Sequence, residues 1–137
     1  VSGPIFADAF FFIGLLNSRD QHHEQVLDAA REYRGIRLVT TDWVLLETAD
    51  ALCTSPVLRR LAGQVIRAAL AGGSMMVVAA TPQRWQKALA FYELHSDKHW
   101  GLTDCLSFIV MRDNGITKAL TGDHHFVQAG FEALILP

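Results

Sequence analysis

Only two cysteines stand in the 137 residues, Cys53 and Cys105, so no disulfide framework can staple this chain. Both lie in apolar runs, Ala51-Leu52-Cys53 and Cys105-Leu106. That is the setting of buried free thiols, and it fits a reducing, cytoplasmic compartment. Proline is also scarce, at four residues, and no linker-like or low-complexity stretch divides the chain. Residues 1–137 therefore read as a single domain. No apolar run approaches the ~20 residues of a membrane span. The nearest, Ile5 to Leu16, is interrupted by Asp8, and no secretory leader pattern is visible; no membrane partner is expected. A basic surplus is missing too: the net charge is -2 and the pI about 6.3. This excludes a protein that holds phosphates by charge alone. Any nucleic acid must be held locally, by a few arginines or by bound metal.

What is present is a hydrophobic half of the sequence (50%), enough for a sizeable core. Short apolar runs alternate with helical patterns, the mark of βα units and a mainly parallel sheet. Pro4 to Ala7 reads as a strand and Ala9 to Leu16 as a helix. His22 to Tyr33 carries Val26, Ala29, Ala30 and Tyr33 at helical spacing before Gly35. Ile36 to Val39 is a second strand, with Thr40, Thr41 and Asp42 as cap candidates for a helix to about Cys53. Ser55-Pro56 opens the next helix, which ends at Gly72-Gly73. Met75 to Ala79 is a strand, and Thr81-Pro82 starts a helix with Trp85, Leu89 and Tyr92. Thr103 is the expected cap of a helix from Asp104 to Asn114, stopped by Gly115. Ile116 to Leu120 is a fourth strand and Ala133 to Leu136 an edge strand.

Ligands of open parallel sheets bind beyond the carboxyl ends of the strands, where the strand order reverses. Four acids fall at or near such positions. Asp8 follows the first strand and is enclosed by Ile5-Phe6-Ala7 and Ala9-Phe10-Phe11-Phe12; a carboxylate there is desolvated and needs donors or a cation. Glu47, three residues after Val44 and four before Ala51, is expected on the buried side of its helix. Asp104 stands one turn below Phe108 and two below Met111. Asp123 occupies the polar turn Thr121-Gly122-Asp123 and by itself is unsurprising. Asp8 as a helix cap and Asp104 as a partner of its helix dipole are the plain structural alternatives.

At these residues the chain resembles the PIN domain family of ribonucleases, especially its toxin-like, VapC-type bacterial members. Four motifs in order carry the resemblance. Phe6-Ala7-Asp8-Ala9-Phe10 comes first, with Asn17, Asp20 and His23 downstream. Thr40-Thr41-Asp42-Trp43-Val44-Leu45-Leu46-Glu47 and Leu102-Thr103-Asp104-Cys105-Leu106-Ser107-Phe108 follow. Ala119-Leu120-Thr121-Gly122-Asp123-His124-His125-Phe126, with Gly130-Phe131, is the last. The resemblance implies a three-layer α/β/α sandwich with a mainly parallel sheet. It implies Asp8, Glu47 and Asp104 as core ligands of Mg²⁺ or Mn²⁺, with Asp123 completing the catalytic and metal-binding set. The chain departs from the family in two places: Ala9 stands where Ser or Thr often follows the first Asp, and His125 where many members carry another acid.

Hard divalent ions prefer carboxylate and water oxygens, as this acid set offers. The function implied is a metal-dependent endoribonuclease, the toxin of a toxin–antitoxin pair, with RNA as substrate. Cleavage would be by in-line attack of water, leaving a 5′-phosphate and a 3′-hydroxyl. An antitoxin protein and a second copy of the chain are the implied partners, the helix Val57 to Leu70 being a candidate dimer surface. A catalytically weak RNA-binding or regulatory module is the alternative, and the intact acid set argues against it. A receiver-type phospho-acceptor would need a lysine at a late strand end, whereas Lys118 lies within the fourth strand. A zinc site on His95 and His99, four residues apart, lacks the usual ligand sets; both are expected at the surface. His23 is expected to pair with Asp20, and His125 to touch substrate. Arg19, Arg84, Lys98 and Arg112 are candidates for flanking phosphates, while Trp43, Trp85 and Trp100 read as core or interface rather than base-stacking residues.

Overall fold

The computed structural model describes residues 3–136. Five short parallel strands form its sheet: β1 (Ile5–Ala7), β2 (Leu38–Thr41), β3 (Met75–Val78), β4 (Lys118–Leu120) and β5 (Glu132–Ala133). Their order is β3-β2-β1-β4-β5. The chain starts in the middle, builds outward through β2 and β3, then returns to the other side of β1 for β4 and β5. The direction of winding therefore reverses between β1 and β4, where Phe6 pairs Ala119 and Ala7 pairs Leu120.

Seven helices accompany the sheet in the expected three-layer α/β/α arrangement: α1 (Ala9–Leu16), α2 (His23–Glu32), α3 (Asp42–Ala51), α4 (Pro56–Leu70), α5 (Pro82–Leu94), α6 (Leu102–Asp113) and α7 (His124–Gln128). Three begin where hydroxyl caps are expected. Thr41, Ser55 and Thr81 accept hydrogen bonds from the backbone N–H of Val44, Leu58 and Arg84 at 3.1–3.2 Å. Each satisfies one of the otherwise orphaned amides of a helix start. Pro56 and Pro82 occupy first-turn positions that need no amide hydrogen.

Burial of β1 on all three residues and of β4 at Ala119 and Leu120 places the core around these two strands. Phe6, Phe12, Phe108 and Phe126 are its largest fully buried side chains, and Phe108 meets Phe126 edge-on at 5.0 Å. Trp100 is buried against Phe108, its indole N–H donating to Gln128 Oε1 at 3.0 Å, and so belongs to the core as expected. No helix among the described residues is long and apolar enough to cross a membrane.

Several expectations are corrected. The second strand begins at Leu38 and runs to Thr41, so Thr40 and Thr41 belong to the sheet and Asp42 is the first helical residue. The helix α6 starts at Leu102 with Gly101, not Thr103, as its cap. Asp104 then falls at the third helical position, where its carboxylate reaches back to the Gly101 N–H at 3.0 Å. The helix α7 is not foreseen by the sequence reading, and β5 ends at Ala133 rather than starting there. Cys105 is buried but Cys53 is exposed, and both are free. His23 turns from Asp20 to the Gly14 carbonyl, 2.6 Å from Nδ1, while the Asp20 carboxylate accepts from the His22 amide. His99 is exposed as expected, but His95 is only half-exposed and lies against Phe91 and Trp100.

Candidate metal centre

The end of β1 delivers Asp8 into the reversal point, and the end of β4 delivers Thr121 and Asp123 beside it. Asp8 is only 5% exposed. Its Oδ2 accepts the Thr121 hydroxyl at 2.8 Å, and its backbone N–H reaches Leu120 O at 3.4 Å. Burial lifts the Asp8 carboxyl to about 7; the Thr121 hydroxyl opposes the rise, while the Asp104 and Glu47 charges add to it. A carboxylate hidden among β1 and α1 is costly to ionise without a counter-charge.

Asp104, at the N-terminal end of α6, is also raised, first by burial, with Asp123 adding to the rise. The Gly101 amide and His125 work against it. Glu47 departs from expectation, since as a residue it is exposed rather than turned to the buried side of α3. Its carboxyl end is nonetheless enclosed enough that desolvation leads its upward shift, followed by Asp104, with Thr103 lowering it and Asp123 raising it. Asp123 caps α7, accepting the His125 N–H at 2.9 Å. Asp8 thus feels the charges of Asp104 and Glu47, Glu47 those of Asp104 and Asp123, and Asp104 that of Asp123.

The closest group is one the acids alone did not announce. One ligand atom each from Asp104, Asp123 and His125 lie within 4.8 Å of one another. The His125 Nδ1 stands 3.3 Å from Asp104 Oδ2 and 3.4 Å from Asp123 Oδ1. The signal for it was the His-His pair directly after Asp123. Asp8 and Glu47 stand outside this closest group but act on Asp104 or are acted on by it.

The donors fit a divalent ion. They are carboxylate oxygens with one imidazole, and among the described residues no Lys or Arg forms an ion pair with Asp8, Glu47, Asp104 or Asp123. Like charges gathered in a partly desolvated place without a Lys or Arg partner are stabilised by a cation. The candidate phosphate-holding residues are engaged elsewhere or lie free at the surface. Arg112 lies over the Phe91 and Phe131 rings and donates to Ala129 O at 3.3 Å. Arg84 donates to Ala79 O at 2.8 Å, Lys98 pairs with Asp97 at 3.4 Å, and Arg19 is exposed.

No protein-family model matches the chain, and no curated protein matches it by sequence. Among solved structures it is similar to the VapC20 toxin of Mycobacterium tuberculosis, described as a sarcin-ricin loop cleaving toxin. The two superpose with a TM-score of 0.82 at 27% identity, over 93% of this chain and 95% of that one. The motif resemblance and the fold thus agree: the chain has a PIN-like fold, similar to that of this VapC toxin over 93% of its length.

Proposed function

We propose that this protein is a divalent-metal-dependent endoribonuclease acting as the toxin of a toxin–antitoxin pair, with Asp8, Glu47, Asp104 and Asp123 as its metal-binding and catalytic residues. The observation that carries the reading is the Asp104, Asp123 and His125 cluster at the switch point of a parallel sheet, beside which Asp8 and Glu47 respond to the Asp104 charge, with no Lys or Arg paired to these acids among the described residues. The VapC20 likeness supports RNA as the substrate class. A bound Mg²⁺ or Mn²⁺ would lower the pKa of a water and offset charge on a phosphodiester. The chain's own residues hold the arrangement that such chemistry requires. Thr121 fixes the Asp8 carboxylate, the Gly101 amide fixes Asp104, and the His125 amide fixes Asp123. Carboxylates held this way need little reorganisation when charge develops on the substrate. The cation also accounts for RNA binding by a chain of net charge -2.

An antitoxin protein, a homodimer and a cytoplasmic location complete the proposal; exposed Val57 and Leu70 on α4 are available to a partner. The test is RNA cleavage in Mg²⁺ or Mn²⁺ by the wild type, Asp8→Asn and Asp104→Asn. Both variants should keep the wild-type circular dichroism and lose cleavage, and chelation should silence the wild type. Equal cleavage by all three would remove the metal-site assignment.

A further inference from the structure

Beside the acids, between α3 and α5, lies a cleft of about 360 Å³ lined by Trp43, Leu46, Glu47, Asp50, Trp85, Leu102 and Thr103. Its size is that of a cleft for a small ligand. Two of the lining residues, Trp43 and Trp85, are tryptophans in edge-on contact, with ring centroids 4.2 Å apart and planes at 71°. That contact fixes both rings, yet Trp85 remains 47% exposed. A large aromatic surface kept open to water is a cost the fold does not require, since the core aromatics are covered.

We propose that this cleft receives an unstacked nucleobase of the RNA strand whose phosphodiester lies at the acid cluster. The inference rests on the ribonuclease reading above. Continuity supports it: Glu47 belongs to the proposed metal set, and Thr103 directly precedes Asp104 in the chain, so the cleft adjoins the centre through both. A strand held at the acids must place a neighbouring nucleoside close by, and Trp85 offers that nucleoside an aromatic face. Unpaired bases are recognised by stacking on such faces. The charge of the rim sets the orientation. Asp50, the rim acid outside the metal set, can accept hydrogen bonds from base N–H groups and repels a phosphate, so the base enters and the backbone stays at the metal. This role goes beyond the core-or-interface reading that the sequence favours for Trp43 and Trp85.

The test begins by mapping the bond that the wild type cleaves in a single-stranded RNA. Single abasic sites are then placed on either side of it. For the wild type, kcat/KM should fall about tenfold or more when one flanking base is removed. Trp85→Ala should cleave the intact RNA about 5- to 150-fold less efficiently and be indifferent to that same abasic site. Trp85→Phe should retain most of the activity. The inference is overturned if Trp85→Ala cleaves intact RNA as well as the wild type, including the case where it changes only self-association in sedimentation. It is equally overturned if Trp85→Ala stays as sensitive to the abasic site as the wild type. Absence of any RNA cleavage by the wild type in Mg²⁺ or Mn²⁺ would instead bring down the ribonuclease reading on which the inference stands.

Discussion

The Thr121 hydroxyl donates to Asp8 Oδ2 at 2.8 Å across 113 residues of sequence, and its oxygen accepts the Asp123 N–H at 3.1 Å. One side chain thereby joins the acid after β1 to the acid after β4. Thr121 and Asp8 are both buried, so the Asp8 oxygen it satisfies cannot readily turn to water there. Thr121→Val should cost about 1–3 kcal/mol of stability, the penalty of a buried group left without its partner. Thr121→Ser should cost much less. Urea unfolding of the three proteins checks this; equal midpoints and slopes would mean that the hydroxyl does not hold the site.

The pH dependence of the metal-free protein follows from Asp8. Its carboxyl is at about 7 when folded, against an ordinary value of 3.8. Between those values the folded state binds more protons than the unfolded one, so this group makes stability fall as pH rises from about 4 to about 7. The ceiling is about 4 kcal/mol, at 1.36 kcal/mol per pH unit over that interval. Asp8→Asn should therefore be the more stable protein at pH 7.5 in chelator and lose this advantage near pH 4. Thermal denaturation of both proteins across that range reads the difference. Mn²⁺ should raise the wild-type melting temperature more at pH 7.5 than at pH 5, because ligands bind metal in their deprotonated form.

His125 makes this centre chemically mixed. An imidazole suits Mn²⁺ better than Mg²⁺, whereas carboxylates serve both. His125→Asp should therefore move the ratio of Mn²⁺ to Mg²⁺ affinity toward Mg²⁺, on the order of tenfold. Titration calorimetry with each ion gives the ratio without any cleavage assay. An unchanged ratio would place His125 outside the ligand set and leave it as a hydrogen-bond partner of Asp104.

Much of this site was legible in the sequence because strand ends and caps announce themselves locally. Asp8 after a fully apolar strand and the Thr81-Pro82 start of α5 are signals that need no tertiary knowledge. Elsewhere a longer-range choice decided the local structure. Thr103 has the chemistry of a cap, but Asp104 reaching back to Gly101 moves the helix start forward. The five-residue α7 is too short to show a periodic stripe, and Asp123 reads as a turn residue although it caps that helix. Glu47 follows the apolar spacing of α3, yet the cleft beside Trp43 leaves that face open, so spacing alone misjudged its exposure. The approach of His125 to Asp104 depends on how α7 sits against α6, which no local pattern encodes.

Gly122 sits between Thr121 and Asp123, and its lack of a side chain is used. A Cβ there would stand 2.5 Å from Cζ of Phe10, with Cε2 at 2.9 Å. Phe10 must then move, but its ring lies against His22, with centroids 4.9 Å apart. Gly122→Ala should thus cost about 1–3 kcal/mol, the range of an overpacked site. The clash is with a ring, so it is relieved by shortening that ring. In a Phe10→Leu background the same Gly122→Ala change should cost markedly less, a coupling that a double-mutant cycle in urea measures directly. Additive costs would show that Gly122 is needed for its backbone rather than for the space it leaves to Phe10.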